Sequence, residues 1–337
     1  MSFRQTHQGP EDAWHGIIEA HGQFPPEQGR YHLYIGLFCP FAHRVNIVRH
    51  LRGLESVIDA SIVRPFPKGD ENGWPGLQFL GDDPYEGATK DKVHGLKHLH
   101  ELYFKADPNY KGKYSVPVLW DTKEDTIVSN ESAEMLRWLP SAFTDSSPER
   151  ECSLDLYPAH LQTIIDSISV WMQRDLNVRV YKAGFSTTQT AYEDNVTTVF
   201  AALNHLEKLL HQHGGPYILG SSLTEVDVRA FPTVIRFDTL YVQHCKCNLG
   251  TIRGSYPIIH EWMKNLYWNV YGFQETTNFQ HIKDFYIKNQ GNINPLGIVP
   301  IGPFPDVEAG AQGDFSALQP GEIRHAAVLR REEELYG

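Results

Sequence analysis

The hydrophobic pattern of the chain changes period along its length. Residues 31–35 form a short aromatic and aliphatic run closed by Gly36, the signature of a strand. Within 41–51 the apolar residues Phe41, Val45, Val48 and Leu51 recur at helical spacing, and Gly53 supplies a stop. Residues 57–63 return to a strand pattern, and strand, helix, strand in that order predicts a parallel pair. Residues 116–120 and 126–128 flank the polar turn 121–125 and predict a hairpin, followed by a helix over 131–139. Past residue 150 the strand signals fade, and helical spacing runs through 154–177, 187–213, 224–245, 256–270 and 274–288. Thr224, with Asp227 three residues on, matches a capping box, which satisfies free N–H groups at a helix start.

Glycine and proline punctuate this pattern. They break up residues 1–30, which read as an irregular extension. They crowd residues 64–112, an insertion in which one short helix is expected at 89–104. The expected organisation is therefore an N-terminal extension (1–30), an α/β thioredoxin-like domain (31–140, with the insertion 64–112), a polar linker, an all-α domain (150–290) and an extended C-terminal tail (291–337). A length of 337 residues agrees with two domains at roughly 100–200 residues each.

Charge and composition narrow the function. A formal net charge of −11 leaves no basic face for nucleic acid or for anionic lipid. No run approaches the length of a membrane-spanning helix. Residues 1–10 are polar and lack the apolar core of a secretion signal, and the four cysteines make no disulfide framework, so a cytoplasmic protein is expected. His94, His98 and His100 fall on one predicted helix without a cysteine or carboxylate ligand set, and no metal is expected.

The sharpest chemical feature is Cys39-Pro40-Phe41-Ala42, placed where the first strand ends and the first helix starts. Pro40 suits the first helical position, where a missing N–H costs nothing. Unpaired N–H groups and the helix dipole favour an anion there, which stabilises a Cys39 thiolate, and His43 and Arg44 follow with positive charge. A buried structural cysteine is the alternative. Ala42 stands where a Cys-x-x-Cys enzyme has its second thiol. A mixed disulfide on Cys39 must then be resolved by an outside thiol, most simply glutathione. Val116-Pro117 offers extended backbone at which a peptide can pair like an added strand, or is an edge strand that carries proline. Glu131-Ser132 opens the next helix. Its N–H groups and hydroxyl suit a carboxylate and Glu131 suits an ammonium, both present on the γ-glutamyl end of glutathione; ordinary capping is the alternative.

These segments resemble the Xi-class glutathione transferases, the glutathionyl-hydroquinone reductases. The likeness runs through Cys39-Pro40-Phe41-Ala42-His43-Arg44, Val116-Pro117-Val118-Leu119-Trp120-Asp121 and Ile127-Val128-Ser129-Asn130-Glu131-Ser132-Ala133-Glu134. It continues in Val180-Tyr181-Lys182-Ala183-Gly184-Phe185, Arg236-Phe237-Asp238, Thr276-Thr277-Asn278-Phe279-Gln280-His281-Ile282-Lys283 and Asn294-Pro295-Leu296-Gly297. The resemblance implies a homodimer and a glutathione site in which Phe41 lies at the mouth, Trp74 covers the tripeptide, Lys113 meets the glycine carboxylate, Val116 and Pro117 present the backbone to the cysteinyl unit, and Glu131 and Ser132 hold the γ-glutamyl end. Phe41 replaces the usual tryptophan and Lys113 a usual arginine. The implied reaction is reduction of a glutathionyl-hydroquinone through a Cys39–glutathione mixed disulfide, with Tyr181, Tyr241 and Tyr286 as candidate proton donors. An Omega-type thiol transferase or dehydroascorbate reductase, and a non-catalytic carrier of aromatic ligands, are the alternatives; the insertion and the tail favour the Xi class.

Overall fold

The computed structural model describes residues 14–67, 71, 73, 77–143, 154–302, 307–309, 313 and 315–337. In chain order, β1 (Tyr31–Ile35) leads to α1 (Pro40–Leu51), β2 (Asp59–Ile62), α2 (Leu99–Ala106), β3 (Val118–Asp121), β4 (Thr126–Ser129) and α3 (Ser132–Ala142). Helices then follow one another: α4 (Gln162–Trp171), α5 (Arg179–Gly184), α6 (Gln189–His213), α7 (Glu225–Arg236), α8 (Ile252–Ser255), α9 (Pro257–Asn269), α10 (Phe279–Asn289) and α11 (Ala326–Tyr336). Two π-helical turns, Met172–Asn177 and Phe237–Tyr241, extend α4 and α7. The chain divides into two compact units, Met1–Asp155 with Glu275–Asn289, and Leu156–Gln274 with Gln290–Gly337.

The first unit is built on a four-stranded sheet of order β2-β1-β3-β4. β1 and β2 are parallel, as a strand-helix-strand unit requires, and the other pairs are antiparallel. β1 is buried along its whole length, so its pattern is a continuous run rather than an alternation. His32, the polar residue in that run, shares a 2.7 Å hydrogen bond with Ser61 on β2, and burial pushes its pKa down to about 4. α1 starts on Pro40 and packs against α3.

Three segments of this unit differ from the sequence expectation. The N-terminal extension is not wholly irregular. His15 bridges Ser129 antiparallel, and the Gly16 N–H donates to Val128 O at 2.7 Å, so the chain covers the open edge of β4. Gly16 is needed there, because a Cβ would stand 2.5 Å from Val128 O. The helix expected at 89–104 begins only at Leu99. The Asp91 carboxylate accepts the N–H groups of Val93, His94 and Leu96 and holds that stretch in a turn. β2 is shorter than 57–63, since Val57 and Ile58 both donate to Leu54 O in a 3-10 turn.

The second unit is helical among its described residues. Asp227, fully buried in the first turn of α7, accepts from the Thr224 N–H, the Thr224 hydroxyl, the Ile218 N–H and Trp262 Nε1 at 2.9–3.1 Å. Burial pushes its pKa up, against these four donors. The tail is not simply extended. α11 packs on α6, where Glu332 meets Asn204 and Lys208, and the Tyr336 hydroxyl donates to Asp175 at 2.9 Å. A second boundary also moves. α10 was expected in the helical domain but belongs to the sheet unit, because its side chains find partners such as Phe38, Tyr85 and Glu86 there.

Asp227→Ala removes a helix cap and strands buried donors. The expected cost is about 3–5 kcal/mol of stability, read as a lower denaturation midpoint in urea.

Candidate active site

Strand directions decide which residues meet. β1 runs antiparallel to β3, with Tyr34 opposite Val118, so the exit of β1 lies beside the entrance of β3. β3 is antiparallel to β4, with Leu119 opposite Ser129, so β4 leaves the sheet at that same end. Cys39 follows β1, Val116-Pro117 precedes β3 and Glu131-Ser132 follows β4. Topology therefore collects all three segments at one end of one sheet.

Cys39 occupies the position just before α1, with extended backbone angles (φ −78°, ψ 121°) and its N–H bonded back to Gly36 O at 2.9 Å. Its side chain caps no N–H of the helix. The thiol is half-buried, and Sγ lies 3.3 Å from Val116 O, an S–H donor contact. The Val116-Pro117 bond is cis. No acidic residue stands in the first turn of α1. The half-buried Phe41 ring carries the Arg44 guanidinium 5.0 Å from its centroid.

Glu131 precedes α3 and its carboxylate accepts the Ala133 N–H at 3.0 Å, while Ser132 is the first residue of the helix. Glu131 therefore acts as a helix cap. Lys113 is exposed on the loop before β3, and its carbonyl accepts from the Tyr110 hydroxyl at 3.2 Å. Trp74 lies outside the described residues. Tyr181 and Tyr241 share a 2.5 Å hydroxyl hydrogen bond within the helical unit, Tyr181 on α5 and Tyr241 on the π turn after α7. Tyr286 belongs to α10 of the sheet unit, where it is buried beside Phe285. Among the described residues, no group of three histidine, cysteine or carboxylate side chains is placed to hold a metal ion.

Two contacts near the thiol carry no signal in the sequence pattern. The Phe38 ring, one residue before Cys39, stacks on Phe285 of α10 at 3.8 Å. His43, on the second turn of α1, shares a 2.9 Å hydrogen bond with the Thr276 hydroxyl. The motif around Thr276 was visible in the sequence, but its placement in the sheet unit was not.

Family comparisons agree with this geometry. Residues 38–142 match the model of the glutathione S-transferase N-terminal domain, and residues 189–265 that of the C-terminal domain. The chain is 48% identical over 293 residues to glutathione S-transferase omega-like 2 of Schizosaccharomyces pombe, covering 87% of this chain and 91% of that protein. It is 44% identical over 287 residues to the glutathionyl-hydroquinone reductase YqjG of Escherichia coli, covering 85% and 83%. The crystal structure of the glutathione-S-transferase Xi from Phanerochaete chrysosporium aligns with a TM-score of 0.83 at 45% identity, covering 88% of this chain and 97% of that one. The glutathione-bound structure of YqjG from Escherichia coli K-12 aligns with a TM-score of 0.81 at 41% identity, covering 89% and 94%. A thioredoxin-like sheet unit with a helical unit is the glutathione transferase fold, and the chain belongs to the Xi class of that family.

Burial separates the cysteines chemically. Burial pushes the Cys245 thiol up to about 12, and burial likewise pushes the Cys247 thiol well above its ordinary value. Iodoacetamide at pH 7 should therefore alkylate Cys39 in the folded protein and reach Cys245 and Cys247 only after unfolding. Peptide mass mapping of the labelled sites checks this order.

Proposed function

We propose that this protein is a cysteine-dependent enzyme that reduces glutathionyl-hydroquinones to hydroquinones, with glutathione as co-substrate and glutathione disulfide as product. The observation that carries the reading is a thiol at the head of α1, 3.3 Å from Val116 O, with Ala42 in place of a second cysteine in the motif. Such a thiol can form a mixed disulfide and cannot resolve it alone. The relative YqjG is named as a glutathionyl-hydroquinone reductase and has a glutathione-bound structure.

In the proposed reaction the Cys39 thiolate attacks the glutathione sulfur of the aryl thioether. A Cys39–glutathione disulfide bond forms and the carbon–sulfur bond breaks. The bonding pair goes to the ring carbon, which takes up a proton and leaves as the hydroquinone. The sulfur of a second glutathione then attacks the mixed disulfide, which releases glutathione disulfide and restores the thiolate. The ring carbon is reduced by two electrons, supplied by two glutathione sulfurs, the thioether sulfur of the substrate and the thiol of the second glutathione, as they become the disulfide. Protonation of the ring carbon needs an acid held close by. Tyr181, Tyr241 and Tyr286 are the candidates we assign.

For glutathione, the Val116 N–H and C=O before Pro117 pair with the cysteinyl unit. A peptide N–H arriving at Val116 O competes with the Cys39 S–H for that acceptor and so favours the thiolate. The α3 start with Ser132 and Glu131 takes the γ-glutamyl end, Lys113 the glycine carboxylate, Trp74 covers the tripeptide and Phe41 lines the mouth. We assign the protein to the cytoplasm on its cysteine usage and polar N-terminal residues, and to a homodimer on the family resemblance.

The test supplies glutathionyl-menadiol and glutathione and follows quinol release by chromatography. Cys39→Ser should lose about a hundredfold or more in turnover. Glu131→Ala should raise the KM for glutathione about tenfold, the loss of one charge-assisted hydrogen bond. No quinol release, or equal rates for Cys39→Ser and the parent, would overturn the reading.

A further inference from the structure

The segment Glu275–Asn289 reaches the sheet unit from a stretch of chain whose neighbours on both sides, Gln274 and Gln290, belong to the helical unit. It grips the chain around Cys39 at two points. On the N-terminal side, the Phe38 ring lies against Phe285 at a centroid distance of 3.8 Å with planes 4° apart. That ring also folds back over Gly36, where a Cβ would sit 2.5 Å from Phe38 Cζ. Phe38 thus lies between the Gly36 backbone and a ring on α10. On the C-terminal side, Thr276 shares its hydroxyl with His43 Nε2 at 2.9 Å, and both residues are buried.

Further contacts of the same segment fix the insertion beside it. His281 Nε2 meets Glu86 O at 2.7 Å, and the Tyr85 hydroxyl donates to Asp284 at 2.6 Å. Gly87 stands where a Cβ would lie 2.9 Å from His281 and 3.5 Å from Leu37, so α10, the insertion and the loop before Cys39 converge on one glycine.

We infer that Thr276 and Phe285 are positioning residues for the Cys39 thiol. They act through His43 and Phe38, four residues after the nucleophile and one before it. The favourable field at a helix N-terminus falls off within the first turn, so the thiolate depends on the loop and the helix keeping one register. Displacements of about an ångström at a reacting atom are costly to rate. These contacts of the segment fall on residues 36–87. The groups assigned to glutathione at Val116, Glu131 and Ser132 are carried by β3 and α3. Loosening the clamp should therefore slow the thiol without weakening glutathione binding. This inference rests on the reading of Cys39 as the nucleophile.

The experiment compares Thr276→Val, Thr276→Ser and Phe285→Leu with the parent protein. It measures kcat with glutathionyl-menadiol, glutathione affinity by calorimetry, the iodoacetamide rate at Cys39 and thermal stability. Thr276→Val and Phe285→Leu should lower kcat and the alkylation rate about fivefold to tenfold, with glutathione affinity held within about twofold. Thr276→Ser, which keeps the hydroxyl, should restore both rates. Unchanged rates in the two disruptive variants overturn the inference. So does a parallel loss of rate and glutathione affinity, or a Thr276→Ser protein no faster than Thr276→Val. If Cys39→Ser turns over as fast as the parent, the proposed function fails instead, and the alkylation rates alone decide the positioning role by the same criteria.

Discussion

The antiparallel pairing of β1 with β3 is the constraint that creates the site. Once Tyr34 lies opposite Val118, the chain leaving β1 must pass the chain entering β3. Cys39 and Val116 then meet at 3.3 Å although 77 residues separate them. The parallel partner β2 sends the insertion off from the same sheet end, and β4 delivers Glu131 there. Each strand is only four or five residues long. A slip of one residue between β1 and β3 would turn every side chain to the opposite face and separate the thiol from the carbonyl.

The helical unit is organised by buried acceptors rather than by apolar contact alone. Asp227 gathers four donors at the start of α7, and Glu207 on α6 accepts the first N–H groups of α9 at Ile258 and Ile259. These bonds satisfy helix ends that would otherwise be buried unpaired. α7 ends in the π turn that carries Tyr241 to the Tyr181 hydroxyl. A π turn widens the helix by one residue and re-aims the side chains beyond it, which is a common device where side chains must converge.

Much of this was legible in the sequence, because it is local. The Cys39-Pro40 helix start, the 121–125 turn, the capping box at Thr224 and Asp227, and the contrast between a strand-bearing half and a helical half all depend on residues a few positions apart. What was not legible is non-local. Residues 89–98 have the composition of a helix, but the Asp91 carboxylate offers their N–H groups a nearer acceptor. The polar residues of the extension gave no strand pattern, since their pairing is set by the open edge of β4. α10 has an amphipathic pattern that says which face is buried and not what buries it; its segment's partners Phe38 and His43 are more than 230 residues earlier. That Tyr286 belongs to the sheet unit and Tyr181 and Tyr241 to the helical unit was likewise invisible, because periodicity carries no information about the unit to which a helix is added.

The placement of α10 also limits how this protein can be taken apart. The thioredoxin-like portion is discontinuous in the chain, and its last piece is encoded more than a hundred residues after the rest. A fragment ending at Asp155 would expose the Phe38 ring and leave the His43 imidazole without the Thr276 hydroxyl. Exchange of amino-terminal halves between relatives would bring a foreign residue against each of these surfaces. The boundary at which such a protein tolerates recombination is therefore not the apparent linker, and the two halves are obliged to change together.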